Sequence, residues 1–345
     1  MLNISSLYYQ EDLKQIASYI PPSETPRSVL ITGASGLIGS LLVDAFLWNN
    51  NNNGGNDTVY ALSRTEKKLT ERFRYAENDS HLVILAKDIT KPLDDDKTFD
   101  YIVHAASNAD PGTYALYPVE TVQTNIIGTT NVLEYAVHHP GTRVLFTSTM
   151  EVYGTMPDGT SSTEDMYGLI DFNSIRSGYP ESKRVSEILC RSYVEEYGAD
   201  ALVTRLGYIY GPTMTDSDNK VVAQFIRKAI NKENIVLKSK GEQRRSYCYA
   251  SDTVSGIVCA LFCGEKGQAY NVSNRDSVIT IAEMAQVAAK IAGTSVEFDL
   301  LSEIEIKGSS KSQDAVLDEG KLRELGWAPK YSFEEGVSRT VKILS

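Results

Sequence analysis

From about residue 28 onward, short apolar runs alternate with longer segments in which apolar positions recur at helical spacing. Ser28–Thr32 (SVLIT), Thr58–Leu62 (TVYAL), Leu82–Ala86 (LVILA), Tyr101–His104 (YIVH), Val144–Ser148 (VLFTS) and Ala201–Arg205 read as buried strands. Gly36–Trp48, Val119–His138 and Tyr179–Tyr197 carry the helical periodicity between and after them. This alternation predicts an α/β fold, a doubly wound parallel sheet with right-handed crossovers and helices on both faces. Tyr8–Ile20 also has helical spacing and stops at Pro21-Pro22, which predicts a helical extension over residues 1–27. The polar run Asn49–Asn56 (NNNNNGGN) reads as a solvated connection between a helix and a strand.

The first strand runs into Gly33-Ala34-Ser35-Gly36-Leu37-Ile38-Gly39, which then opens a helix. Glycines at these three places suit a tight turn, a close backbone approach to a pyrophosphate, and close helix–strand packing. The helix amino end would face the phosphates. The fold expected is therefore Rossmann-like, with residues 28–210 mainly the dinucleotide-binding domain. Residues 211–345, where the alternation breaks down, are mainly a smaller mixed substrate-binding part, interleaved with the first.

Asp88-Ile89, after the third strand, suits an adenine contact, and Asp88 suits a helix cap equally well. The acidic residue that usually holds a ribose 2′-hydroxyl should end the second strand, but Ser63-Arg64 stands there. A guanidinium pairs readily with a 2′-phosphate, so these residues lean towards NADP; an arginine stacked on adenine in an NAD enzyme is the alternative.

Tyr179-Pro180-Glu181-Ser182-Lys183 places a phenol and an ammonium four residues apart, on one helix face. It is the only Tyr-x-x-x-Lys in the chain. A nearby ammonium stabilises a phenolate, so the Tyr179 pKa is expected to fall and the phenol to exchange protons near neutrality. Thr149 and Glu151 stand at the carboxyl end of the fifth strand, where parallel sheets border their ligand crevice. The first offers a hydroxyl and the second a further acid or base.

The charge balance narrows the partners. With 34 Lys+Arg against 45 Asp+Glu the net charge is −11, which argues against a nucleic-acid partner but not against one anionic small molecule. Four cysteines without metal-ligand spacing predict buried, reduced thiols and no metal site. No apolar run approaches about 18 residues, so no membrane span is expected. Glu11, Asp12 and Lys14 interrupt the N-terminal apolar pattern in a way foreign to a signal peptide, and a cytoplasmic location is the expectation.

Taken in order, the glycine turn, His104-Ala105-Ala106-Ser107, Thr149–Gly154, Tyr-x-x-x-Lys and Arg205–Pro212 (RLGYIYGP) resemble the extended short-chain dehydrogenase/reductases. The resemblance is to the nucleotide-sugar epimerase/dehydratase family and runs from about residue 28 to the C-terminus. It implies a recycled NAD or NADP that oxidises the sugar at C4. Catalytic roles then fall on Tyr179 as base, Lys183 as its electrostatic partner, Thr149 as hydroxyl hydrogen-bonder and Glu151 as second acid/base. The cofactor would meet Gly33, Ser35, Gly36, Leu37, Ile38, Gly39, Ser63, Arg64, Asp88, Ile89, Ala105, Ala106, Leu206, Tyr179 and Lys183. Ser107, Thr149, Tyr208 and Arg245 would meet the substrate.

Glu151 resembles decarboxylases of UDP-glucuronate and 4,6-dehydratases, and Met150 takes the place of the acid of a Thr-Asp-Glu dehydratase. The segments His104–Thr121 and Lys183–Glu187 look most like the decarboxylases. Tyr208, where the family commonly has Asn, and the absence of an arginine near Asp314–Asp318 are departures. A 4-epimerase or reductase, and a dinucleotide sensor without turnover, are the alternatives. The resemblance also implies a homodimer through the helices Val119–His138 and Tyr179–Tyr197.

Overall fold

The computed structural model describes residues 2–93, 96–157, 159–299 and 314–345. Seven parallel strands form the central sheet: β1 (Ser28–Thr32), β2 (Thr58–Ser63), β3 (Leu82–Ala86), β4 (Tyr101–His104), β5 (Arg143–Thr149), β7 (Asp200–Leu206) and β11 (Ala269–Val272). Β6 is the short strand Ser161–Ser162, outside this sheet. The spatial order β3-β2-β1-β4-β5-β7-β11 reverses direction between β1 and β4, the switch point at which such sheets open a ligand crevice. Val29, Leu30 and Ile31 of β1 are fully buried, as a central strand covered on both faces requires. Helices α1 (Leu7–Ala17), α2 (Leu37–Asn53), α3 (Glu66–Arg72), α4 (Pro111–Leu116), α5 (Pro118–His138) and α6 (Gly178–Tyr197) precede β7. Beyond it come β8 (Tyr208–Tyr210), α7 (Val221–Asn231), β9 (Ile235–Leu237), β10 (Arg244–Tyr249) and α8 (Ala250–Cys263). A small sheet in the order β12-β10-β8, with β12 at Val278–Thr280, lies beside the carboxyl ends of the large one.

α1 is built into the main core. Tyr9, Leu13 and Ile16 are buried in the same cluster as α2 and α8 residues. Asp12 accepts hydrogen bonds from the Tyr249 hydroxyl at 2.6 Å and from Arg339 of the C-terminal helix at 2.7 Å.

Two expectations need correction. Asn49–Asn53 is not a solvated connection but the end of α2, closed by Gly54 in a left-handed conformation. Asparagine is a poor helix former, but here the Asn50 amide bonds both ways with the Asp57 backbone, at 2.7 and 3.0 Å. Of the four thiols, Cys190, Cys248 and Cys259 are buried but Cys263 is exposed, because it sits in the last turn of α8.

Candidate active site

Gly33 leaves β1 with φ +68°, and a Cβ there would meet the Ala105 carbonyl oxygen at 2.7 Å. Only glycine fits both demands. Gly39 packs against the Gly33 carbonyl, which holds α2 close to the turn. The first-turn amides of α2, which have no partners within the helix, are thereby aimed into a cavity of about 550 Å³. That is the fit a pyrophosphate needs.

The same cavity is also lined by Thr149, Glu151, Tyr179 and Lys183, and by Ala105, Ser107, Leu206, Tyr208 and Arg245. β5 ends at Thr149 and continues as a single tight turn, Met150–Tyr153, so Thr149 and Glu151 both face the opening. Met150 itself is buried with Val152, Tyr153 and Leu317. α6 begins at Gly178 and puts Tyr179 and Lys183 on its buried face. The Thr149 hydroxyl, which accepts from the Glu151 amide at 3.3 Å, stands near the Tyr179 phenol and favours its ionised form.

The predicted fall in the Tyr179 pKa does not occur in the free protein. The phenol is held above its ordinary value, first by burial and then by the Glu151 carboxylate. Lys183 does not offset this, since its Nζ donates to the Thr147 carbonyl at 2.8 Å and lies 4.5 Å from the centre of the Phe146 ring. Burial pulls Lys183 itself down from an ordinary value of 10.5 to about 7, against the opposing charge of Glu187.

Other predicted contacts are arranged less simply. Asp88 spends its carboxylate on the Thr90 amide and hydroxyl, both at 2.9 Å, in a local turn that opens no helix, so it takes neither the adenine contact nor the helix cap expected of it. Ile89 is buried in the core beneath α5, and neither residue lines the cavity. Ala106 lies just behind the wall, its amide donating to the Thr32 hydroxyl at 3.1 Å. Ser35 and Ser63 touch through their hydroxyls at 3.1 Å. The Arg64 guanidinium pairs with Glu120 of α5 at 2.6 Å, both side chains exposed, so a phosphate there would compete with that carboxylate. Arg245 lies 4.5 Å over the Tyr208 ring, so the two predicted substrate contacts form one unit.

Several features in and beside the cavity carried no local sequence signal. Tyr114 of α4 stacks on Tyr179, ring centroids 4.9 Å apart and planes inclined by 14°. Arg176 lies 4.7 Å over the Tyr114 ring and pairs with Glu151 at 2.8 Å. The loop through Thr215 and Lys220 supplies the remaining wall, and the Asn219 amide donates to Asp110 across it at 3.4 Å. Arg176 was findable only as a cation one helical turn before Tyr179.

Comparison with known proteins places the chain in a family and finds its fold in solved structures. The family model described as "NAD dependent epimerase/dehydratase family" matches residues 29–273. UDP-glucuronic acid decarboxylase 6 of Arabidopsis thaliana is 34% identical over 312 residues, covering 90% of this chain and 86% of the relative. The structure of DesIV, a dTDP-glucose 4,6-dehydratase from Streptomyces venezuelae with NAD and TYD bound, superposes with a TM-score of 0.77 at 28% identity, covering 92% of this chain and 96% of that one. UDP-glucuronic acid 4-epimerase from Bacillus cereus gives the same TM-score at 23% identity, covering 92% and 98%, and so shares the fold.

Proposed function

The chain belongs to the NAD dependent epimerase/dehydratase family, and within it we propose a nucleotide-sugar enzyme that oxidises a UDP-uronate at C4 and releases carbon dioxide. One observation carries this reading: Thr149, Tyr179 and Lys183 line a single cavity with the glycine turn, and Glu151 stands beside them. The similarity to UDP-glucuronic acid decarboxylases supports the uronate.

The glycine turn and α2 would hold the pyrophosphate, and Lys183 with Tyr179 the nicotinamide end. When bound, the dinucleotide supplies the hydride acceptor and later returns the hydride. Tyr179 takes the C4 hydroxyl proton and gives one back at the end; Thr149 orients that hydroxyl. Once C4 is a ketone, the carboxyl group on C5 leaves as carbon dioxide, its bonding electrons passing to the C4 oxygen as an enolate. A proton delivered to C5, with Glu151 at hand to relay it, restores the ketone. Dehydration would need an acid at position 150, and a buried methionine stands there.

The family is NAD dependent, and NAD is the form proposed here in preference to NADP. Glu120 already neutralises Arg64, so a 2′-phosphate would have to compete with a carboxylate. A homodimer is proposed through α5 and α6, on which Ile127, Val185 and Ile188 are exposed apolar residues. Among the described residues no helix is long and apolar enough to cross a membrane.

The test is incubation with UDP-glucuronate and NAD, followed by mass spectrometry. Loss of carbon dioxide is expected. Loss of water, an isomer of unchanged mass, or no product with any nucleotide sugar would refute the decarboxylase reading.

A further inference from the structure

The cations that line the cavity, Lys183, Lys220 and Arg245, differ from Arg176, which stands behind the wall residue Glu151. Lys183 is committed to the Thr147 carbonyl, Lys220 pairs with Asp218 at 3.1 Å, and Arg245 packs on Tyr208. Arg176 differs, because its counter-ion is Glu151, itself a wall residue and the acid assigned to the second half of the reaction. The guanidinium is half exposed, and the pair sits at the opening, not in the protein interior. Such a pair is weakly held and exchanges its anion readily.

The position of Arg176 is nevertheless well defined. It belongs to the tight turn Ile175–Ser177 that leads directly into α6, and its guanidinium rests on Tyr114, which in turn stacks on Tyr179. Guanidinium, ring and phenol thus form one layered stack, which ties the cation to the reacting oxygen.

We infer that Arg176 is the receptor for the carboxylate of an acidic sugar, and that this carboxylate displaces Glu151 from it. The inference rests on the uronate reading above and deepens it by assigning the group that receives the carboxylate. A planar guanidinium takes a carboxylate through two parallel hydrogen bonds, which a neutral hydroxymethyl group cannot make. Binding of the acid therefore does two things at once. It fixes the C5 substituent beside the Tyr114–Tyr179 stack, and it leaves Glu151 without its ion-pair partner, free to handle protons. A neutral hexose leaves the Arg176–Glu151 pair closed. The exchange breaks no covalent bond and requires no further reactant.

The experiment compares Arg176→Gln, Arg176→Lys and Glu151→Gln with the unaltered protein, all carrying NAD. It measures calorimetric binding of UDP-glucuronate and UDP-glucose, and steady-state turnover of UDP-glucuronate. Arg176→Gln should weaken UDP-glucuronate binding at least tenfold, raise KM correspondingly, and change UDP-glucose binding less than twofold. Arg176→Lys should recover part of the loss. Glu151→Gln, which removes the competing anion, should tighten UDP-glucuronate several-fold and leave UDP-glucose unchanged. Equal weakening of both sugars by Arg176→Gln, or unchanged UDP-glucuronate binding, would overturn the assignment while leaving the nucleotide-sugar reading intact. Failure of the unaltered protein to bind either compound would overturn both.

Discussion

Lys183 makes the pH dependence of stability a test of the site itself. Its side chain is 2% exposed, and its charge is opposed by burial strongly enough to bring its pKa to about 7. In the unfolded chain a lysine titrates near 10.4. Between these values the unfolded state holds a proton that the folded state has lost, so stability rises with pH. With a folded value of about 7, integration from pH 7 to pH 9 gives roughly 2 kcal/mol, approaching about 1.4 kcal/mol per unit at the upper end. Neighbouring Cys190 acts in the opposite sense above its unfolded pKa, since burial lifts the folded thiol to about 12. The difference between the parent and Lys183→Met cancels that contribution. Losing the donor to the Thr147 carbonyl adds a cost of about 1 kcal/mol that does not vary with pH. Urea titrations of cofactor-stripped protein at pH 7, 8 and 9 should show the parent gaining roughly 2 kcal/mol relative to Lys183→Met. Parallel stability profiles for the two proteins would refute the claim that a buried ammonium is strained beside Tyr179.

Tyr179→Phe should lower turnover by about 10²–10⁴-fold while retaining dinucleotide binding, read by fluorescence titration; retained activity would remove the phenol from the reaction. Glu151→Gln should stop the reaction after C4 oxidation, so that reduced cofactor accumulates in a stopped-flow trace, and full product formation would exclude Glu151. Arg205 bonds Glu187 at 2.8 Å within the core and also holds the Tyr153 hydroxyl at 2.9 Å, so Arg205→Leu should cost about 3–5 kcal/mol in urea denaturation. A loss below about 1 kcal/mol would show that the pair is dispensable. Glu120→Gln should shift the NADP:NAD affinity ratio towards NADP by up to about fivefold, the most that a half-exposed pair near 1 kcal/mol supplies. No shift would mean that Arg64 lies away from the ribose.

Much of the scaffold was legible because its signals are local. The apolar runs at Ser28–Thr32 and Tyr101–His104 fall on strands with the same bounds, since a strand buried on both faces needs an unbroken apolar segment. The glycine turn was legible because backbone geometry alone excludes other residues at Gly33. The asparagine run was misread because the partner that steadies Asn50 lies beyond the following turn, at Asp57. The Tyr179 titration was misread for a different reason. Spacing along α6 indicates that Lys183 shares its face, but not that the ammonium turns to Thr147 or that the Glu151 charge stands nearer in effect. Asn219 reaches the cavity, and Tyr114 and Arg176 back its residues Tyr179 and Glu151, from three separate segments, and no periodicity within any one of them announces that meeting.

Everything proposed for this site requires a sugar C4 and a nicotinamide to meet at Tyr179. The direct measurement is a single turnover of UDP-glucuronate deuterated at C4, quenched early, with the cofactor analysed by mass. Deuterium on the reduced dinucleotide is the predicted result; product formed with no label ever passing through the cofactor would contradict the account.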